Sequence, residues 1–287
     1  MLSIATDFHG QSRNTAEIKT TLTRIARAGF SHIHWCHEWS GYYIYSFHEM
    51  LQIKEWCDEL GLKSKGLHAS HGEKKDNLKS YASANDHNRL AGVELIKNRV
   101  DLAHLLDAGD IVLHSTLTYY QIDTEDGYND YFKRAFKTFD ELEPYCRTRH
   151  IRICIENCGR PAVFNRIFDT LFERYDSDYM GLCLDTGHAF NDCRDNCLEY
   201  AQRYNDRLFM IHGDDNHGTN VDEHRLPFDG GFDWEGFAPV LARSPYTFPI
   251  NMEVSIETYP GEDDDAWLKK AFEAGNRFAA MVEKYRK

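Results

Sequence analysis

Short apolar runs rich in β-branched residues alternate along the chain with longer stretches whose apolar positions recur at a helical period. The short runs predict strands at Leu2–Asp7, His32–His37, Ser64–Ala69, Ile111–Ser115, Ile151–Glu156, Gly181–Asp185, Leu208–His212 and Ile250–Val254. The longer stretches predict helices at Thr15–Ala28, Ser46–Leu60, Asn88–Leu106, Tyr128–Arg147, Ala162–Arg174, Asn196–Tyr204, Trp234–Leu241 and Asp264–Tyr285. Gly29 and Gly61 follow the first two helices as stop signals, and Gly109 lies just past the third. Asp233 is placed to cap the helix that begins at Trp234, and Pro161 to open the fifth helix. Strands alternating with helices imply a parallel sheet, and eight of each is the count that closes a (β/α)8, or TIM, barrel. The alternative, an open doubly wound sheet, would usually carry a Gly-rich phosphate turn after its first strand, whereas that turn here reads Asp7-Phe-His-Gly-Gln-Ser12.

Length supports the barrel as a single domain over residues 1–287, since such barrels run to about 250 residues. A hydrophobic content of 42% fills a large core, and an aromatic content of 13% suits both packing and a lined pocket. The formal net charge of −13 sets the chain against phosphate backbones and anionic lipid, so neither nucleic acid nor membrane is expected as a partner. The start, Met1-Leu-Ser-Ile-Ala-Thr, lacks the basic and apolar segments of a signal peptide, and no apolar run approaches the ~20 residues of a membrane span. The 8 cysteines show no Cys-x-x-Cys spacing, and several sit inside strand-like runs, which predicts buried reduced thiols in a cytoplasmic protein rather than a Cys193–Cys197 bridge. Oligomeric state is not encoded in any pattern here, which leaves a homo-oligomer open.

Charged and polar residues change the picture at the strand ends, because the active face of a TIM barrel is built there. The third strand ends at His68, the fourth at His114, the fifth at Glu156, the sixth at Asp185 followed by His188, the seventh at His212 and the eighth at Glu253. One histidine at a strand end needs only a hydrogen bond, and one aspartate there is often a helix cap, as Asp185 could be. A run of them in register converges carboxylates on one mouth, where burial and mutual repulsion would raise their pKa values. A divalent cation resolves that conflict, and imidazole with carboxylate suits Zn²⁺, Mn²⁺ or Co²⁺, with Mg²⁺ also open. Asp222 and His224, two apart in an extended segment, face the same way and could join a metal or a substrate. His9, His34 and Trp39 fall near the ends of the first two strands, where they could line the pocket.

With the motifs Ile155-Glu-Asn157, Leu184-Asp-Thr-Gly-His188, Ile211-His-Gly-Asp-Asp-Asn216, Asp222-Glu-His-Arg-Leu-Pro-Phe-Asp-Gly-Gly-Phe-Asp-Trp234 and Met252-Glu253, nearly the whole chain resembles the xylose isomerase-like TIM-barrel superfamily. That group holds sugar phosphate isomerases/epimerases, ketose 3-epimerases, inositol-pathway isomerases and dehydratases, and endonuclease IV. The resemblance to its sugar-acting members implies one catalytic metal on Glu156, Asp185, His212 and Glu253, with His188 touching substrate. It also implies Glu156 and Glu253 as the pair that moves a carbon-bound proton through a metal-stabilised enediolate. The resemblance to endonuclease IV implies three zinc ions on His68, His114, Glu156, Asp185, His188, His212, Asp222, His224 and Glu253. The chain departs from ketose 3-epimerases after His212, where an arginine is replaced by Gly213-Asp-Asp-Asn-His217. The expected function is therefore a divalent-metal-dependent sugar, polyol or inosose isomerase or epimerase. The alternatives are a zinc-dependent phosphodiesterase acting at apurinic/apyrimidinic sites and a non-catalytic metal-stabilised barrel that only binds a ligand.

Overall fold

A computed structural model describes residues 1–10, 15–37, 43–69, 81–114, 124–158 and 161–286. Trp39 lies outside the described residues. Eight parallel strands carry the fold: β1 (Leu2–Ala5), β2 (His32–Trp35), β3 (Lys63–His68), β4 (Asp110–His114), β5 (Arg152–Glu156), β6 (Met180–Asp185), β7 (Leu208–His212) and β8 (Ile250–Met252). They hydrogen-bond in the order β7-β6-β5-β4-β3-β2-β1-β8. The seam between the two end strands is closed by side chain as well as backbone: Gly213 N donates to Asn251 O at 3.1 Å, and the buried Asn251 Nδ2 donates to Ile211 O at 3.0 Å. The result is the TIM barrel that the alternation of elements predicts.

The surrounding helices are α1 (Thr15–Arg27), α2 (Phe47–Leu60), α3 (Asp86–Leu105), α4 (Glu125–Arg147), α5 (Pro161–Arg174), α6 (Thr186–Cys193), α7 (Glu199–Arg203), α8 (Trp234–Ala242) and α9 (Asp264–Glu283). Their ends follow local chemistry. Ser46 and Glu49 form a reciprocal capping box on α2, which stops at Gly61 in the left-handed conformation with φ 67°. Asp233 Oδ1 accepts from Gly236 N at 2.9 Å, as its sequence position implies. Two expectations are corrected. After α3 the left-handed turn falls on Asp107, with φ 54°, two residues before Gly109. The helix expected at Asn196–Tyr204 is preceded by α6, which springs directly from β6 because Asp185 Oδ1 caps it, accepting from His188 N at 2.6 Å. The polar run around Asn191 and Asp192 masks that short helix in the sequence.

Period-two alternation sorts each strand into an outer and an inner set. Leu2, Ile4, Ile33, Leu67, Ile111, Ile153, Leu182 and Ile211 point outward into one continuous apolar layer beneath the helices. Val112, Cys154, Cys183 and Met210 form a separate apolar plug inside the barrel. Toward the strand starts, Arg152 Nε donates to Asp110 Oδ1 at 2.8 Å, and the buried Lys65 Nζ donates to Thr247 O at 3.0 Å. Two residues further along, at the opposite end, the same strands present His114, Glu156, Asp185 and His212. Polar side chains are thus confined to the two ends of an apolar plug, and one end gathers the predicted chemistry.

The plug depends on Gly66. A Cβ there would lie 2.4 Å from Met210 Cε and 2.9 Å from Asp110 O. The methionine can yield, but the backbone carbonyl cannot. Gly66→Ala is expected to cost about 1–3 kcal/mol of stability through overpacking, read as a shift in the urea midpoint without a change in slope. An unchanged midpoint would contradict this packing.

Candidate metal centre

Parallel register places the candidate residues opposite one another. His114 pairs with Glu156 across β4 and β5, and Asp185 pairs with His212 across β6 and β7. Glu156, Asp185 and His212 are fully buried, and Glu253 follows directly after β8 with its side chain 15% exposed. His212 Nδ1 lies 2.7 Å from Glu253 Oε2, 3.2 Å from Glu156 Oε2 and 4.0 Å from Asp185 Oδ2. The four donor atoms all fall within 4.8 Å of one another.

These short approaches do not amount to a satisfied network. Among the described residues, both oxygens of Glu156, Asp185 Oδ2 and His212 Nδ1 are buried without a hydrogen bond of acceptable geometry. Buried polar groups are rarely left so, because each costs free energy unless something compensates it. A divalent cation among these atoms would satisfy all of them at once. Three carboxylates and one imidazole also match the donor preferences of Zn²⁺, Mn²⁺ and Co²⁺. The residues present therefore fit the group.

Two further donor groups adjoin the centre and share Glu156 or its neighbours. His68 Nε2 and His114 Nε2 stand 3.0 Å apart, 3.5 Å and 3.3 Å from Glu156 Oε2. On the other side, His188 Nδ1 lies 3.2 Å from Glu156 Oε1. His188 Nε2 and His224 Nε2 approach the same oxygen, Asp222 Oδ2, at 3.1 Å and 2.9 Å. All five outer candidates thus reach the mouth that the strand ends define.

His9 does not join them. Its Nε2 pairs with Thr21 Oγ1 of α1 at 2.7 Å, and its ring packs edge-on against Phe8. His34 is fully buried, and it faces the back of His212 rather than the open mouth, with the two Nε2 atoms 3.2 Å apart.

The loop that carries Asp222 and His224 hangs on one residue. Asp215 Oδ1 accepts from Asn216 N and Phe232 N, both at 3.0 Å, and Asp215 Oδ2 accepts from Phe228 N at 3.1 Å and Trp234 Nε1 at 2.8 Å. His224 itself sits at φ 47°, an unfavourable region for a residue with a Cβ. Asp215 N and Arg225 N each donate to the other's carbonyl at 2.9 Å, and His224 Nδ1 lies 3.1 Å from Glu253 O. Strain of this kind persists only where surrounding contacts over-determine it, and it clusters at functional sites.

The electrostatics follow from burial and crowding. Burial opposes the charged form of His212, but the Cys183 thiol and the Glu253 and Glu156 carboxylates around it hold its proton well above the usual imidazole range. Burial also opposes ionisation of Glu156, and the His114 and His212 rings reverse the sign, leaving it well below the carboxylate range. Asp185 moves the other way, raised chiefly by burial. Without a metal, the His212 imidazolium is therefore the cation that the carboxylates find.

Several contributors were not legible as site residues. Asn157 braces Asp185, its Oδ1 accepting from Asp185 N at 2.8 Å and its Nδ2 donating to Asp185 O at 3.0 Å. The fully buried Asp214 accepts from Gly187 N at 3.0 Å, where any side chain at Gly187 would collide with it. Cys36 Sγ lies 3.6 Å from Glu253 Oε1. Asn157 and Asp214 stand beside predicted ligands in the chain, which is the one signal the sequence offers for them.

The sequence model of a family described as a xylose isomerase-like TIM barrel matches residues 22–276. An uncharacterized protein, y4fM, of Sinorhizobium fredii is 31% identical over 92% of this chain and 89% of its own. A probable endonuclease 4 of Mycobacterium leprae is 26% identical over 67% of this chain and 75% of its own. The solved structure of D-psicose 3-epimerase with D-tagatose from Clostridium cellulolyticum H10 superposes with a TM-score of 0.76 at 16% identity, over 98% of this chain and 99% of that one.

Proposed function

The chain belongs to the xylose isomerase-like TIM-barrel family, and from that premise we propose that it is a divalent-metal-dependent isomerase or epimerase of a small sugar, polyol or inosose. The observation that carries the reading is the convergence of Glu156, Asp185, His212 and Glu253 on one set of buried, unsatisfied donor atoms. Epimerases of D-psicose and L-ribulose share the fold over nearly its whole length. The net charge of −13 suits a neutral small molecule better than a polyanion. The reading takes residues 1–287 as one TIM-barrel domain. Among the described residues none of the eight cysteines forms a disulfide, which suits a reducing, cytoplasmic compartment. Among the described residues, no helix is long and apolar enough to cross a membrane.

A bound Zn²⁺, Mn²⁺ or Co²⁺ would polarise a substrate carbonyl and stabilise charge developing on its oxygen. The remaining work falls to this chain. Glu156 and Glu253 stand on β5 and after β8, on different sides of His212 in the order of the sheet. One glutamate removes the proton from the carbon next to the carbonyl, leaving an enediolate, and the other returns a proton to the opposite face or the neighbouring carbon. His188, at the rim beside Glu156 Oε1, holds a substrate hydroxyl. Incubation of ketoses, aldoses and inososes with the Mn²⁺- or Co²⁺-loaded protein in D₂O should wash deuterium into one carbon position of the accepted substrate. Absence of carbon-bound exchange across that panel would remove the support for this reading.

A second reading is favoured by a specific observation. The His68–His114 pair beside Glu156 and the His188–Asp222–His224 group supply donors for two more cations, the arrangement of a three-zinc phosphodiesterase. The similarity to a probable endonuclease 4 points the same way. The acidic net charge weighs against it, because such an enzyme must grip a polyanionic duplex.

Metal uptake carries a pH signature under either reading. His212 must be neutral at Nδ1 to bind a cation, and in the metal-free centre it holds its proton strongly. Protons therefore compete with metal, so affinity falls as pH falls, by up to about tenfold per pH unit for each proton displaced. Calorimetric titration of Co²⁺ in buffers of different ionisation enthalpy should report net proton release near neutral pH. Uptake without proton release would contradict the protonated metal-free centre.

A further inference from the structure

Resting on the metal-centre reading above, we propose that His34 is the positioning residue for the metal ligand His212, accepting a hydrogen bond from the ring nitrogen that faces away from the cation. His212 turns Nδ1 toward Glu253, Glu156 and Asp185. Among the described residues its other nitrogen, Nε2, meets one ring nitrogen within hydrogen-bond distance, His34 Nε2 at 3.2 Å. The two ring centroids stand 4.9 Å apart at an interplanar angle of 66°, an edge-to-face arrangement. Both residues are fully buried.

Proton counting then fixes the arrangement. Only one proton fits between the two Nε2 atoms. A neutral imidazole that offers its Nδ1 lone pair to a cation carries its proton on Nε2. The facing His34 Nε2 must then be a lone pair, which places the His34 proton on Nδ1. Metal-bound histidines almost always give their second N–H to a carboxylate, a carbonyl or water. Here a neutral imidazole from β2 takes that place. His34 Nδ1 is buried and meets no hydrogen-bond partner among the described residues, with Gly66 beside it, where a Cβ would come within 3.5 Å. His34, one residue before the end of β2 and on its inward face, reaches across the barrel interior to His212 on β7.

The test compares His34→Phe, which keeps the ring volume and removes the acceptor, with His34→Gln, whose side-chain carbonyl can still accept. Co²⁺ dissociation constants are measured by competition with a chromogenic chelator, alongside wild type. Loss of such a partner typically weakens metal binding about 10–100-fold, so His34→Phe should bind Co²⁺ in that range more weakly, with His34→Gln within a few-fold of wild type. Far-ultraviolet circular dichroism of both variants keeps folding separate from binding, and if His34→Phe does not fold, the Gln variant against His34→Lys, which cannot accept, carries the same comparison. Equal affinity of His34→Phe and wild type would overturn the inference, as would equally weak binding by the acceptor-retaining and acceptor-lacking variants. Failure of wild type itself to bind Co²⁺ would instead overturn the metal-centre reading on which the inference rests.

Discussion

Glu156→Gln is expected to reduce carbon-bound proton exchange by at least about 10³-fold, because it removes both a metal-facing carboxylate and one of the two proton-transfer groups. Glu156 is the most connected residue of the centre. Its Oε2 faces His212, His68 and His114, and its Oε1 faces His188. The amide keeps the volume and loses the charge and the basicity. Asp185→Asn provides the contrast, since Asp185 is assigned to holding the cation rather than to moving a proton. Raising Mn²⁺ or Co²⁺ to saturation should restore part of the Asp185→Asn turnover and none of the Glu156→Gln turnover. Recovery of Glu156→Gln at high metal would reduce Glu156 to a ligand and shift the proton transfer elsewhere.

Asp215→Ala is expected to cost stability far from any metal. Its carboxylate accepts from three backbone N–H groups and the Trp234 indole, all at 2.8–3.1 Å. Each buried donor left without a partner costs about 1–3 kcal/mol, partly recovered by water where the loop can open. A loss of about 4 kcal/mol is expected in total, at the diagnostic end for single substitutions. At about 2–4 °C per kcal/mol for a chain of this size, the melting temperature should fall by roughly 10 °C. Asp233→Ala, which removes one helix cap nearby, should cost only about 1 kcal/mol. Comparable losses in the two variants would show that Asp215 does not anchor the loop. Because that loop carries Asp222 and His224, Asp215→Ala should also loosen the His188–Asp222–His224 group, while Glu156, Asp185 and His212 stay fixed by their strands.

The barrel was readable because its signals repeat. Apolar runs bounded by polar residues recur often enough that errors at single ends do not alter the topology. Those errors have local causes. Strand ladders stop two residues early at Ala5, Trp35 and Met252, and just beyond two of those ends Cys36 and Glu253 meet, with Cys36 Sγ 3.6 Å from Glu253 Oε1. The α6 helix hid behind its own cap, since Asp185 looked equally like a strand end and a helix start, and it is both.

Most of the candidate centre was readable for a related reason. A carboxylate or imidazole that ends an apolar strand tends toward the barrel mouth, so His68, His114, Glu156, Asp185, His212 and Glu253 could be named together in advance, and the resemblance to the sugar-acting members singled out Glu156, Asp185, His212 and Glu253 among them as sharing one metal. What the sequence could not supply was direction. His34 stands one residue before the end of its strand, and the fold turns it beneath His212. His9 is drawn off to Thr21 on α1. Asn157, Asp214 and Asp215 act through hydrogen bonds to backbone atoms distant in the chain, and such partners leave no periodic trace.

The central claim is that Glu156, Asp185, His212 and Glu253 hold one catalytic divalent cation. Elemental analysis of the purified, exhaustively dialysed protein tests it most directly. The expected result is one Zn²⁺, Mn²⁺ or Co²⁺ per chain. A chain that retains no divalent metal would contradict the claim, and a chain that retains three zinc ions would transfer the centre to the phosphodiesterase reading.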